Sequence, residues 1–372
     1  MEKNEKLLYN ESENENKVHE ILKEEFRMHN MKRRVMGSMM AVLMGASTIL
    51  GTCPTPLFAT DAASVAEEIT VGATDVDASN SYGLVSANEG NILHAWDWKF
   101  TDVTDNIEDI AKAGYSCVQV SPCQACEGFT DNNGWWKSYQ PYDYKFGSVY
   151  GSEEEFKTMC ATAKEYGVHI VVDIVANHIA SEDQSKGYSL KDGVDDFWKS
   201  NVNSYFHNTG AEFKDDTKRE SMVKDNIGVR DVNTENAEVQ KRLVDYMEQL
   251  IADGADGFRF DAAKHIGTST EQGGCQSDFW VNTVGAVKKK YPDKLYYGEI
   301  LNDLSVSTKL YVNDGIKITE SQIGWVYKDV FRKSTPFATS SFTYKRSTEL
   351  AKDEMINWVE NHDTYLNSWG QT

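Results

Sequence analysis

Two hydrophobic periods alternate along this chain. From residue 91 onward, short apolar runs of strand length are separated by segments whose apolar positions recur every three to four residues. The runs predict strands at 91–98, 115–121, 169–176, 256–262, 295–300, 316–320 and 354–361. The run opening HIVVDIVANH (169–178) is continuously apolar, as expected of a strand covered on both faces. VTDNIEDIAKAG predicts a helix closing near Gly114. SEEEFKTMCATAKEYG predicts another, with Ser152 as cap, acids in the first turn and Gly167 at the end. NAEVQKRLVDYMEQLIADG (236–254) and FWVNTVGAVKKKYP (279–292) predict two more, and STKLYVND and GWVYKDVFRK continue the alternation. A polar stretch, roughly 179–234, interrupts the rhythm.

Repeated β-then-α units predict a parallel sheet with helical crossovers. The expected fold is α/β: a TIM (β/α)8-type barrel truncated after the seventh strand, with a small domain inserted after strand 3. Residues 89–178 form its first part, 179–234 the insertion, and 235–372 an incomplete second part. Without an eighth unit the sheet has bare edges, so this 372-residue piece alone is expected to be unstable or prone to aggregate.

The amino terminus reads as an address. Residues 1–30 are polar; Lys32, Arg33 and Arg34 then precede an apolar stretch of signal-peptide length, with small residues at Ala59, Ala62 and Ala63. Residues 1–63 are therefore assigned to an extension plus secretory signal, with Met31 a candidate true start. Residues 64–88 are assigned to a linker. The expected location is extracellular. Two rival readings stay open: an uncleaved membrane anchor, and lipid attachment at Cys53 in Leu50-Gly51-Thr52-Cys53.

Composition narrows the partners. A net charge of −20 argues against nucleic acid and anionic membrane surfaces. Aromatics at 11% suit sugar faces but equally suit ordinary cores. Cys123 and Cys126 form a C-x-x-C with no second pair to complete a zinc site; a local disulfide or two idle thiols is the expectation.

In a barrel of this kind the chemistry sits at the carboxyl ends of the strands. Strand 3 ends with Asp173, Asn177 and His178. Strand 4 carries Arg259 and Asp261, then Lys264 and His265 follow; Glu299 ends strand 5, and Asn361, His362 and Asp363 end strand 7. Singly, each has an ordinary structural role available, such as a cap or a satisfied polar group. Together, acids at the ends of several strands would meet at one mouth.

DIVANH, GFRFDAAKH, GEI and VENHD, in this order and spacing, resemble the four signature segments of the α-amylase family, glycoside hydrolase family 13. YQPYDY around Tyr139 and HAWDW at 94–98 strengthen the resemblance, which runs from about 91 to 369 and looks especially like secreted bacterial members. It implies that Asp261 is the nucleophile of a retaining glycosidase, Glu299 the acid/base and Asp363 the third acid. Arg259 would hold Asp261 ionised, and Asp173 would support Arg259. His178 and His362 would donate hydrogen bonds to a sugar stacked on Tyr139, with Trp136 and Trp135 extending the aromatic platform. Lys264 would touch the next sugar on the leaving-group side. The resemblance also implies Ca2+, held by the Asn177 side chain, Asp231 and the His265 carbonyl. A turn or capping role is the alternative for Asp231.

The implied activity is endo-hydrolysis of α-1,4-glucosidic bonds in starch and related α-glucans by a monomer. The alternatives are a transglycosylase or maltogenic exo-enzyme of the same family, or an inactive glucan-binding fragment.

Overall fold

The computed structural model describes residues 82–129, 132–301, 307–320, 350–358 and 361–363, all within the unit Ala73–Thr372. The predicted leader, most of the linker and the GWVYKDVFRK segment lie outside the described residues.

Seven strands form one parallel sheet in chain order. They are β1 (Asn91–Ala95), β2 (Tyr115–Val120), β3 (His169–Val175), β4 (Gly257–Asp261), β5 (Leu295–Gly298), β6 (Lys317–Glu320) and β7 (Met355–Asn357). Each lies within one of the seven predicted runs. The result is a TIM-type barrel that is not closed between β7 and β1 among the described residues.

Register explains why one face is apolar and the other chemical. His94 pairs with Gln119, Gln119 with Val171, Asp173 with Arg259, and Arg259 with Tyr297. Paired residues share a face, and faces alternate along a strand. Val118, Val120, Ile170, Val172, Ile174, Phe258 and Phe260 therefore face outward and join the main core under the helices. Cys117, Val171, Leu295 and Tyr297 face inward as a small separate cluster. The next positions along that inner face are Asp173, Arg259, Asp261 and Glu299.

The helices pack as their patterns dictate. Helix α1 (Phe100–Lys112) buries Phe100, Val103, Ile107 and Ile110 on one stripe. Helix α2 (Glu153–Glu165) opens with a reciprocal cap: the Glu155 amide donates to Ser152 Oγ at 3.2 Å, and the Ser152 amide donates to Glu155 Oε2 at 2.7 Å. Helix α3 (Ala237–Ala252) is capped by Asn236.

Boundaries differ from expectation, most at β7, which ends at Asn357 rather than 361 and leaves Asn361, His362 and Asp363 beyond it. Strand β1 stops at Ala95, three residues early, before Asp97 turns into the left-handed region at φ 62°. The helix expected over 279–292 breaks at Thr283 into Phe279–Asn282 and Val284–Lys290. Thr283 Oγ1 donates back to the Phe279 carbonyl at 2.6 Å, a bond that competes with regular helix.

The 179–234 stretch holds a 3-10 turn, Gln184–Lys186, and three short α-helices, Asp196–Ser200, Val202–Tyr205 and Arg219–Lys224. It is stitched to the barrel by an antiparallel pair, His178–Ile179 with Arg230–Asp231. Trp198 Nε1 donates to buried Asp143 at 3.0 Å, tying the first helix to the Pro141–Phe146 strand.

Candidate active site

One guanidinium gathers the acids. Arg259 Nη1 donates to both oxygens of Asp173, at 2.7 Å each, and to Asp261 Oδ1 at 2.9 Å. Its Nη2 lies 2.5 Å from Glu299 Oε1, a charge contact without hydrogen-bond alignment. Arg259 and Asp261 are two apart on β4, so both side chains point into the barrel. Glu299 follows β5, and Gly298 before it lets that strand end approach: a Cβ there would sit 2.7 Å from the Ala263 Cβ. The Ala262 amide donates to Glu299 Oε2 at 3.3 Å.

Burial alone would favour neutral Arg259, but the carboxylates of Asp173, Glu299 and Asp261 outweigh it and keep the cation. The same burial pushes the Asp261 carboxyl well up; Arg259 opposes the rise, while Glu299, Asp173 and Asp363 add to it. The net direction is thus opposite to that expected from Arg259 alone. Three acids on one cation, with Asp363 adding its charge against Asp261, favour retention of a proton within the cluster. Asp173 is fully buried and also accepts from the Tyr139 hydroxyl at 3.0 Å. Asp261 keeps 13% of its side chain exposed, the most among the acids on Arg259.

An aromatic wall stands beside the acids. His362 stacks against Tyr139 (centroids 5.1 Å, 18°) and Trp96 (5.9 Å, 7°), with His94 and Trp135 edge-on. Its Nε2 is 3.8 Å from Asp363 Oδ2. Burial pushes His362 down to about 3 and His178 down to about 4, so both are neutral near pH 7. A neutral imidazole has one N–H. That of His178 goes from Nε2 to the Tyr139 carbonyl at 2.7 Å, leaving Nδ1 unpaired. His178 thus fixes Tyr139 here rather than presenting its N–H to the cleft. Tyr139 is itself buried, whereas Trp136 is 42% exposed at the rim.

His94, Trp96, Gln119 and Tyr297 were not expected at the site. Tyr297 hydrogen-bonds Gln119 across the barrel. A cavity of about 1220 Å³ runs along the inner face, lined by His94, Gln119, Arg259, Tyr297, Glu299 and His362 among others. The alternation of HAWDW was the available signal, because every second residue of β1 must face inward.

The residues expected to hold a metal are partly assembled. Asn177 and Asp231 are buried side by side, with Asn177 Nδ2 donating to Asp231 Oδ1 at 3.1 Å. Asn177 Oδ1 is buried and accepts no hydrogen bond. An orphaned amide oxygen beside a buried carboxylate fits a hard cation. His207 was not foreseen: it bridges Asp231 Oδ2 at 2.5 Å and Glu235 Oε2 at 2.8 Å. His265 is buried, its Nδ1 donating to the Met222 carbonyl at 2.8 Å. Among the described residues, no group of three or more His, Cys, Asp or Glu is placed to hold a metal ion. Such a site would instead need amide and carbonyl oxygens.

Lys264 turns its ammonium to Asp216 Oδ1 at 3.0 Å. Cys123 and Cys126 are free thiols, so the disulfide reading is set aside; burial pushes Cys126 up to about 11 and Cys123 well above its usual range, which leaves both unreactive. No helix among the described residues is long and apolar enough to cross a membrane.

Residues 91–369 match the model of the α-amylase catalytic domain. An α-amylase of Clostridium acetobutylicum is 34% identical over 289 residues, covering 75% of this chain and 36% of that protein. An α-amylase of Butyrivibrio fibrisolvens is 31% identical over 318 residues, covering 76% and 32%. The chain thus spans about a third of the length of these curated relatives. The crystal structure of α-amylase I from Eisenia fetida shares the fold, with a TM-score of 0.58 at 22% identity over 77% of this chain and 60% of that one. From the family match and the bacterial relatives, the chain belongs to the α-amylase family.

Proposed function

We propose that the protein hydrolyses α-1,4-glucosidic bonds within starch and related α-glucans, with retention of anomeric configuration. The observation that carries this reading is the shared guanidinium: Asp261 and Glu299 sit on the two ends of Arg259. Retaining glycosidases hold their two carboxyls about 5–5.5 Å apart and inverting ones about 6.5–9.5 Å apart. Two acids on one guanidinium fit the shorter class.

In the first step an Asp261 oxygen attacks the anomeric carbon while the bond to the leaving oxygen breaks. Glu299 gives its proton to that oxygen. In the second step Glu299 takes a proton from water, whose oxygen attacks the same carbon and releases Asp261. Asp363 and the neutral imidazole of His362 line the sugar's hydroxyl edge, while His178 holds Tyr139 in place through its carbonyl. Tyr139, Trp136 and their neighbours give it an apolar face, and Lys264 serves the leaving-group side. The test is proton NMR of soluble starch during early hydrolysis. The expected first products are oligosaccharides of mixed length with α-anomeric reducing ends. Initial β-anomers contradict retention; a single small product such as maltose, or cyclic glucans, favours the exo-acting or transglycosylating alternative.

Calcium would be held by Asn177 Oδ1, Asp231 and the His265 carbonyl, fixing the insertion to the barrel. A chelator is expected to lower the melting temperature, because a ligand at about 100 times its Kd stabilises the native state by about 2.7 kcal/mol. Asp231→Asn should remove most of that calcium-dependent shift; an undiminished shift places the ion elsewhere. Secretion is part of the proposal and rests on the basic and apolar segment after Met31.

A further inference from the structure

The turn after Asp261 is gripped from the insertion. Ala262 lies in the left-handed region at φ 49°, a strained position for a residue with a Cβ that needs support from its surroundings. Part of that support is local, since the His265 amide donates to the Ala262 carbonyl at 2.9 Å. The Ala262 amide is held by Glu299, and the next residues of the turn are held by Arg219, at the head of the Arg219–Lys224 helix. Its guanidinium donates to the Lys264 carbonyl, to the Ile266 carbonyl at 3.2 Å and to the Tyr311 hydroxyl at 2.9 Å. It is anchored as a fork on Glu271, with Nη2 at 2.9 Å. Tyr311 closes the ring, its hydroxyl 3.1 Å from the Ile266 carbonyl. The Arg219 side chain is only 11% exposed, so this fork is a built feature rather than a surface pairing. A second contact from the same stretch, the bond from Lys264 Nζ to Asp216 Oδ1, fixes the Lys264 ammonium.

We propose that Arg219 is a positioning residue for the leaving-group side of the cleft. Through the Lys264 and Ile266 carbonyls it sets the turn that carries Lys264, and Asp216 then sets the direction of the ammonium. The proposal rests on the glucan-hydrolase reading, under which Lys264 meets the sugar beyond the cleaved bond. Substrate length then becomes a property of the insertion, because the insertion supplies both contacts.

Two substrates separate positioning from general damage. Maltopentaose places sugars on the leaving-group side; α-maltosyl fluoride places only fluoride there. In the full chain, Arg219→Gln is expected to lower kcat/KM for maltopentaose by about tenfold or more, since small misplacements at a binding group carry losses of that size. The loss on α-maltosyl fluoride should stay below about threefold, because that substrate makes no contact there. Amide hydrogen exchange at residues 263–267 should rise about tenfold. Equal losses on both substrates, or unchanged exchange, overturn the proposal. If Arg219→Gln does not fold, Asp216→Asn decides: at a half-exposed residue, it should raise the maltopentaose KM relative to that of the fluoride. An unchanged ratio rejects it. If the unaltered protein cleaves neither substrate, the hydrolase reading and the leaving-group role fall together, while exchange at 263–267 still reports whether Arg219 holds the turn.

Discussion

Glu299→Gln is expected to lower kcat on starch by about 10²–10⁴-fold, the range for loss of a positioned general acid. The amide keeps the size of the carboxyl and can still accept from the Ala262 amide, so the shape of the cleft should persist. Glucan binding should therefore survive. A sugar fluoride, whose leaving group needs no proton, should lose much less in the first step than starch does. Calorimetry on the same variant checks the fold: an unchanged melting temperature assigns the loss to chemistry, and a lowered one would argue that the Glu299–Arg259 contact is structural. Unchanged starch hydrolysis would remove Glu299 from the mechanism.

Arg259→Leu is the most damaging single change the site predicts. It leaves Asp173 fully buried, with the Tyr139 hydroxyl as its remaining charge-stabilising partner at the site. Breaking a buried pair from one side costs about 3–5 kcal/mol, because an uncompensated charge stays behind. Activity should also vanish, since Asp261 loses the guanidinium that opposes its rise. The two effects can be separated. Arg259→Leu combined with Asp173→Leu should recover most of the stability, as apolar replacement of a whole buried pair often does. It should recover none of the activity. Urea denaturation and starch clearing measure the two; stability that stays low in the double variant would show that Arg259 supports the fold through Asp261 and Glu299 rather than Asp173.

The barrel was readable because each strand contains a short apolar run, and two of the helices between strands carry their own side-chain caps. Ser152 and Asn236 announce α2 and α3 in the sequence, and both cap as their chemistry dictates. The acids were readable for a related reason. Period-two alternation fixes Arg259 and Asp261 on one face, and parallel register then brings Asp173 opposite Arg259. What stayed hidden depends on contacts between distant segments. Arg219 reaches Glu271 across 52 residues, and His207 reaches Asp231 across 24, with no local pattern to mark either. The N–H of His178 was expected to face sugar, but the Tyr139 carbonyl, 39 residues away, takes it. The effect of Arg259 on Asp261 was judged from one neighbour, whereas burial and three further acids decide the direction.

The proposed mechanism turns on a sugar held briefly on Asp261 while Glu299 waits for water. A fluorinated maltosyl fluoride that slows breakdown of this ester would let it accumulate, and mass spectrometry of the digested protein would locate it. One glycosyl group on the peptide containing Asp261, absent after Asp261→Asn, is the predicted result. A glycosyl group on any other residue, or blocked turnover with no adduct at all, would contradict the account.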